Sequence, residues 1–123
     1  MLPDVHSDVP TSMATIYGLL EPADAKVMLD KYWTALQNSD FDNFALGVPL
    51  NYRPVPAALQ FTTWGGSKPD GSETFQRYLN GGCTVSNTLW FLTANDIVGN
   101  TERADGILEK MVGFLRRTSP QEK

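Results

Sequence analysis

Cysteine and histidine are nearly missing from this chain of 123 residues, which has one of each, Cys83 and His6. A single thiol excludes an internal disulfide, so nothing marks an oxidising compartment. One cysteine and one histidine also exclude a Cys/His zinc cluster, and no metal is expected. Positive charge is in deficit: 10 Lys and Arg face 14 Asp and Glu, a net charge of −4. That balance argues against nucleic acid or an anionic membrane surface as partner. No apolar run is long enough to span a bilayer. No basic segment followed by an apolar one opens the sequence, so no signal peptide is expected and a cytoplasmic location is favoured. Phosphate-binding glycine loops and nucleophile elbows are also lacking, and no cofactor is expected.

What is present is the composition of an ordinary folded domain, 41% hydrophobic and 20% charged. At this length one domain with a real core is expected. Residues 1–10, with Pro3 and Pro10 and no periodicity, read as an extended arm. His6 and Asp8 in that arm could face a site or simply be solvated.

Residues 11–38 read as a first helical hairpin. Thr11 or Ser12 can cap a short helix to about Leu20, with Met13, Ile16, Tyr17 and Leu20 on one face. Pro22 suits a first helical position, and Asp24 adds favourable charge to the first turn. Ala25, Met28, Leu29, Tyr32, Trp33 and Leu36 then form an apolar stripe with a period of 3.6, which predicts a helix over 22–38.

From 39 to 83 no helical period survives. Pro49, Pro54, Pro56 and Pro69 punctuate this long loop, while Phe41, Phe44, Tyr52, Phe61, Trp64, Phe75 and Tyr78 argue that it packs rather than being disordered. Leu46–Val48 and Leu59–Thr62 could form a short β ribbon. Residues 84–117 read as a second hairpin. The run 84–98 is apolar nearly all round and is expected to be buried on most sides. The run 101–117 is one-sided, with Ala104, Ile107, Leu108, Met111 and Leu115 inward. Residues 118–123 form a polar tail. The fold class is thus mainly all-α: two helical hairpins joined by a long aromatic, Pro- and Gly-rich loop.

The junction Tyr78-Leu79-Asn80-Gly81-Gly82-Cys83-Thr84 sits before the apolar helix. Its glycine pair predicts positive φ at Gly81 or Gly82. Thr84, with Asn87 three residues on, predicts a capped start resembling a capping box. The junction is either a tight turn into the helix or a binding turn that exposes free N–H groups. Cys83 beside it has either a lowered pKa or, as a buried thiol, an inert role.

The order of these pieces carries a resemblance. Asn-Gly-Gly, an apolar helix, Gly99 and the charged helix NTERADGILEKMVGFLRR resemble a hairpin repeat of the six-hairpin, or (α/α)6-toroid, glycoside hydrolases. MATIYGLLEPADAKVMLDKYW resembles a second such pair, and Gly47–Pro56 resembles the loop between hairpins. The likeness covers about residues 8 to 117. A complete toroid takes about twelve helices, so the chain would be the C-terminal portion or a relative of such an enzyme, incomplete for catalysis alone. The resemblance implies a carbohydrate ligand in a cleft lined by the 41–83 loop, with the Asn-Gly-Gly turn facing that cleft. It also implies association with the remainder of the enzyme or as a homo-oligomer.

Glycoside hydrolysis ordinarily needs two carboxyl groups, one acid and one base or nucleophile. Asp70, Glu73 and Asp8 are the catalytic candidates, although no pair has a diagnostic spacing. Sugar binding also uses aromatic platforms and amides, for which Asn80, Tyr78, Trp64 and Tyr52 are the candidates. The alternative function is that of a small non-catalytic helical binding protein that oligomerises.

Overall fold

The computed structural model describes residues 7–39, 41, 44–56, 68–76 and 81–119. These contain four helices, α1 (Val9–Ile16), α2 (Pro22–Asn38), α3 (Val85–Ile97) and α4 (Thr101–Thr118). Short 3-10 turns at Phe44–Leu46 and Ser72–Thr74 lie between α2 and α3. The fold is all-α. Among the described residues the only pairing of extended backbone is two isolated antiparallel bridges, Ser7 with Asn51 and Pro49 with Cys83. The ribbon expected at 46–48 does not form, since Leu46 closes a 3-10 turn and the backbone donor of Val48 goes to a side chain on α3. Residues 59–62 lie outside the described set.

α1 starts earlier than the expected cap at Thr11 or Ser12. Pro10 sits in its first turn, where no N–H is required, and Asp8 becomes the N-cap position. The helix stops at Ile16, ahead of Leu20, and Gly18 takes a positive φ of 71° just beyond. Its expected apolar face is only partly used. Ser12 and Thr15 are the buried residues, and Tyr17 is exposed.

α2 follows its stripe more closely. Ala25, Leu29, Tyr32 and Leu36 are buried and Trp33 is half-buried, while Met28 is exposed. Those buried positions recur at 4, 3 and 4 residues, one side of a helix. α4 buries Ala104 and Ile107 and half-buries Met111, but Leu108 and Leu115 face outward.

The core lies where these faces meet. Tyr32 packs edge-on against Phe91, with ring centroids 5.7 Å apart, and Trp33 packs on Phe44 at 5.3 Å. Leu29, Leu36, Val48, Leu92 and Ile107 fill the space around them. α1 packs chiefly on α3, with α2 against α1 and α4 against α3. A polar clasp joins the second helices of the two pairs. The Arg103 guanidinium donates to Asp30 Oδ1 at 2.9 Å and Asn95 Oδ1 at 3.0 Å while lying 5.1 Å from the centre of the Trp33 ring. Asn100 donates to the same two oxygens.

No described helix is long and apolar enough to cross a membrane.

Candidate functional site where two helices begin

The segment 47–51 is the hub of the molecule. On one side Ser7, which leads into α1, pairs with Asn51. On the other, Cys83, which leads into α3, pairs with Pro49. Both pairings are antiparallel to the segment, so both lead-in strands run in the same sense, and α1 and α3 leave it side by side.

Side chains lock this arrangement. Thr88 Oγ1 accepts from the Val48 N–H at 2.9 Å and donates to Thr84 O at 2.8 Å. Asn87 Nδ2 donates to Val48 O at 3.2 Å, and the Tyr32 hydroxyl donates to Pro49 O at 2.7 Å. The Leu50 N–H donates to Gly82 O at 3.1 Å. A non-helical segment buried among helices needs partners for its backbone groups, and the polar residues of α3 and α2 supply them.

Gly47 has φ +103°, and a Cβ there would collide with the Thr88 side chain. Gly81 has φ +86°, with Phe75 and Asn51 O within 3.0 Å of where its Cβ would stand. The glycine of the junction therefore serves both a left-handed turn and a close approach. α3 begins at Val85 with Thr84 as N-cap, its hydroxyl accepting from the Asn87 N–H at 3.2 Å. The Asn87 side chain departs from the capping-box expectation. It crosses to Val48 instead of returning to the Thr84 backbone.

Of the catalytic candidates, Asp70 and Glu73 share one exposed turn and bond within it. Asp70 Oδ1 accepts from the Ser72 N–H at 3.0 Å, and this bond holds its carboxyl below the usual carboxylate range. Glu73 Oε2 accepts from the Lys68 N–H at 3.4 Å. Asp8 has different surroundings. It is 1% exposed, between α1 and α3, and its Oδ2 accepts from Ser12 Oγ at 3.3 Å. Burial pushes its carboxyl up to about 7, against weaker downward pulls from its own backbone, Ser12 and Asn87.

Of the binding candidates, Tyr52 is half-buried beside the hub, edge-on to Tyr32 at 6.1 Å, with the Arg53 guanidinium 5.7 Å from its ring centre. Asn80, Tyr78 and Trp64 lie outside the described residues, as does His6. Cys83 is half-buried, and burial pushes its thiol up, so the lowered pKa considered for a helix N-terminus is not its state. Among the described residues no group of three or more His, Cys, Asp or Glu could hold a metal ion.

Sequence reasoning does not single out Asn51 and Thr88 and takes Ser12 only as a helix cap, yet all three are buried polar parts of this junction. A usable signal exists on α3. Asn87, Thr88 and Asn95 lie, with Ser86, Thr93 and Asp96, in a run expected to be buried on most sides, and a buried polar side chain requires a partner.

Compared with protein-family models, curated proteins and solved structures, the chain finds no match.

Proposed function

We propose that this chain is a carbohydrate-binding portion of a protein related to the (α/α)-toroid glycoside hydrolases, without catalytic turnover of its own. One observation carries the reading: α1 and α3 leave the 47–51 segment side by side in the same sense, with α2 and α4 packed behind them. Two neighbouring hairpins of a ring have that layout, the first helix of each lining the centre. On this reading the N-terminal ends of α1 and α3 border the sugar cleft, and the candidate sugar-binding residues are Tyr52 and, outside the described residues, Asn80, Tyr78 and Trp64. Asp70 and Glu73, bonded within their own turn, are not set up as an acid and base pair.

The test is a glycan-binding and hydrolysis screen on the chain. Binding of a glycan is expected, with hydrolysis far below enzyme rates. Asn80→Ala or Trp64→Ala should weaken that binding while the melting temperature barely moves. A screen in which no glycan binds, or in which neither substitution weakens binding, would overturn the reading.

A second reading, that of a non-catalytic helical module that associates, is favoured by α3. Val85, Leu89 and Ile97 on its outer side are 67%, 54% and 47% exposed. An apolar stripe of this kind is a common mark of an interface. The chain should associate, and a Val85→Glu/Leu89→Glu variant should shift it toward monomer in light scattering. A wild-type chain that stays monomeric at high concentration would sink this second reading.

A further inference from the structure

Two buried oxygens in the junction have no hydrogen-bond donor among the described residues: Asp8 Oδ1 and Asn87 Oδ1. Both residues are 1% exposed, so bulk water does not serve them. Two neighbouring polar atoms already have partners. Asp8 Oδ2 takes the Ser12 hydroxyl, and Asn87 Nδ2 goes to Val48 O. Rotating the Asn87 amide would move the deficit without removing it, because Val48 O would then face another acceptor.

The described groups around the carboxyl supply no positive charge. α1 contributes Ser12 and α3 contributes Asn87, while α2 contributes Tyr32, whose hydroxyl is given to Pro49 O. Cys83 and Tyr52 act with Asp8 on Tyr32 and so share this electrostatic neighbourhood. Among the described residues no cation acts on Asp8.

An ionised carboxylate only accepts, and so does an amide oxygen. The Asn87 side chain lies at the Asp8 carboxyl, and two buried acceptors without a hydrogen incur the full desolvation cost of both. One proton removes both deficits at once. We infer that Asp8 keeps its proton in the folded protein and donates it to Asn87 Oδ1, closing a proton-dependent latch between α1 and α3. The elevation of this carboxyl by burial agrees with that assignment. Loss of the proton leaves a charge between the two helices with no counter-ion among the described residues, so α1 is the element that loosens as the pH rises.

The experiment combines a titration with a stability comparison on the full chain. In the wild-type protein, the NMR signal of the Asp8 side-chain carboxyl carbon should titrate near neutrality. With its oxygen as the acceptor of the Asp8 proton, Asn87 holds the midpoint up, and Asn87→Ala should move it down. An upward move would show that the Asn87 amide acts on the carboxylate as a donor, the source of its downward pull, and would overturn the latch. In urea unfolding, the folded-to-unfolded ratio of wild type should fall at least about tenfold relative to Asp8→Asn between about pH 5 and pH 8. An asparagine at position 8 carries a permanent donor in place of the titrating one. His6→Gln serves as a control for the one imidazole, and its pH slope should match that of wild type. An Asp8 midpoint in the ordinary carboxylate range overturns the latch, as does an unchanged pH slope in Asp8→Asn. If Asp8→Asn does not fold, the wild-type titration still decides the matter.

Discussion

Single residues set the geometry of the hub, and glycine shows it most clearly. Gly18 and Gly99 also have positive φ, but open space surrounds the position of an added Cβ. At Gly47 the same substitution meets Thr88, which has to keep its bonds to both Val48 and Thr84. Gly18→Ala should therefore cost about 1–2 kcal/mol for the left-handed backbone alone. Gly47→Ala should cost distinctly more, because the clash lies in the core and cannot relax without breaking a buried bond. Equilibrium urea unfolding of the two variants checks the order. A Gly47→Ala loss no larger than that of Gly18→Ala would show that the Thr88 contact does not constrain the hub. The Gly81 turn is readable in the sequence because Asn-Gly-Gly before an apolar run leaves few alternatives. Gly47 is not, since its requirement comes from a threonine 41 positions away in the chain.

At the scale of elements, helix existence is legible in the sequence and helix environment is not. Pro22 and the stripe from Ala25 to Leu36 define α2 locally, and its ends match. The sequence predicts an α3 buried on most sides, yet Val85, Leu89 and Ile97 are exposed. Its apolar content marks how much partner surface it can use, and the other three helices cover only part of it. The Arg103 clasp is equally hidden, because its partner Asp30 is 73 residues away. Arg103 ties α4 to both α2 and α3 and stacks on Trp33. Arg103→Ala should cost about 1–2 kcal/mol, a value reduced by the partial exposure of Asp30. Arg103→Lys should restore little of it, since a lysine cannot hold two acceptors and a ring face together. Denaturation midpoints of the two variants decide this, and full recovery in the lysine variant would reduce the clasp to simple charge attraction.

The whole molecule should show opposing responses to acid and base. Burial alone pushes Asp30 up, but the bonds from Lys26, Arg103 and Asn100 and the charge of Arg103 together hold it below its usual value of 3.8. Its contribution is present above 3.8 and is lost as the pH falls through its lower folded value. Asp8 behaves in the reverse way. Unfolded, it releases its proton near 3.8, whereas folded it holds it to about 7. Folding therefore takes up a proton in that window, and each pH unit there costs up to about 1.4 kcal/mol. The Asp8 contribution is full below 3.8, declines to about 7 and changes no further above that. Stability measured by urea unfolding from about pH 3 to about pH 8 should peak on the mildly acidic side. A profile rising steadily to neutrality would contradict the Asp8 assignment. None of this is visible in the sequence, where Asp8 is one acidic residue in an arm expected to be extended. Only the docking of α1 on α3 buries it.

The double pairing of residues 49–51 also has a consequence for the order in which the chain can assemble. The first two helices emerge from the ribosome well before residues 81–88, which supply the bonds to Val48 and Leu50. Until then the hub segment lacks its partners on α3, and the start of α3 is not fixed. Bonds that span 39 and 40 residues close late, since a long loop must be ordered before they form. The nascent amino-terminal half thus holds an unfinished groove until its own carboxy-terminal half arrives to fill it.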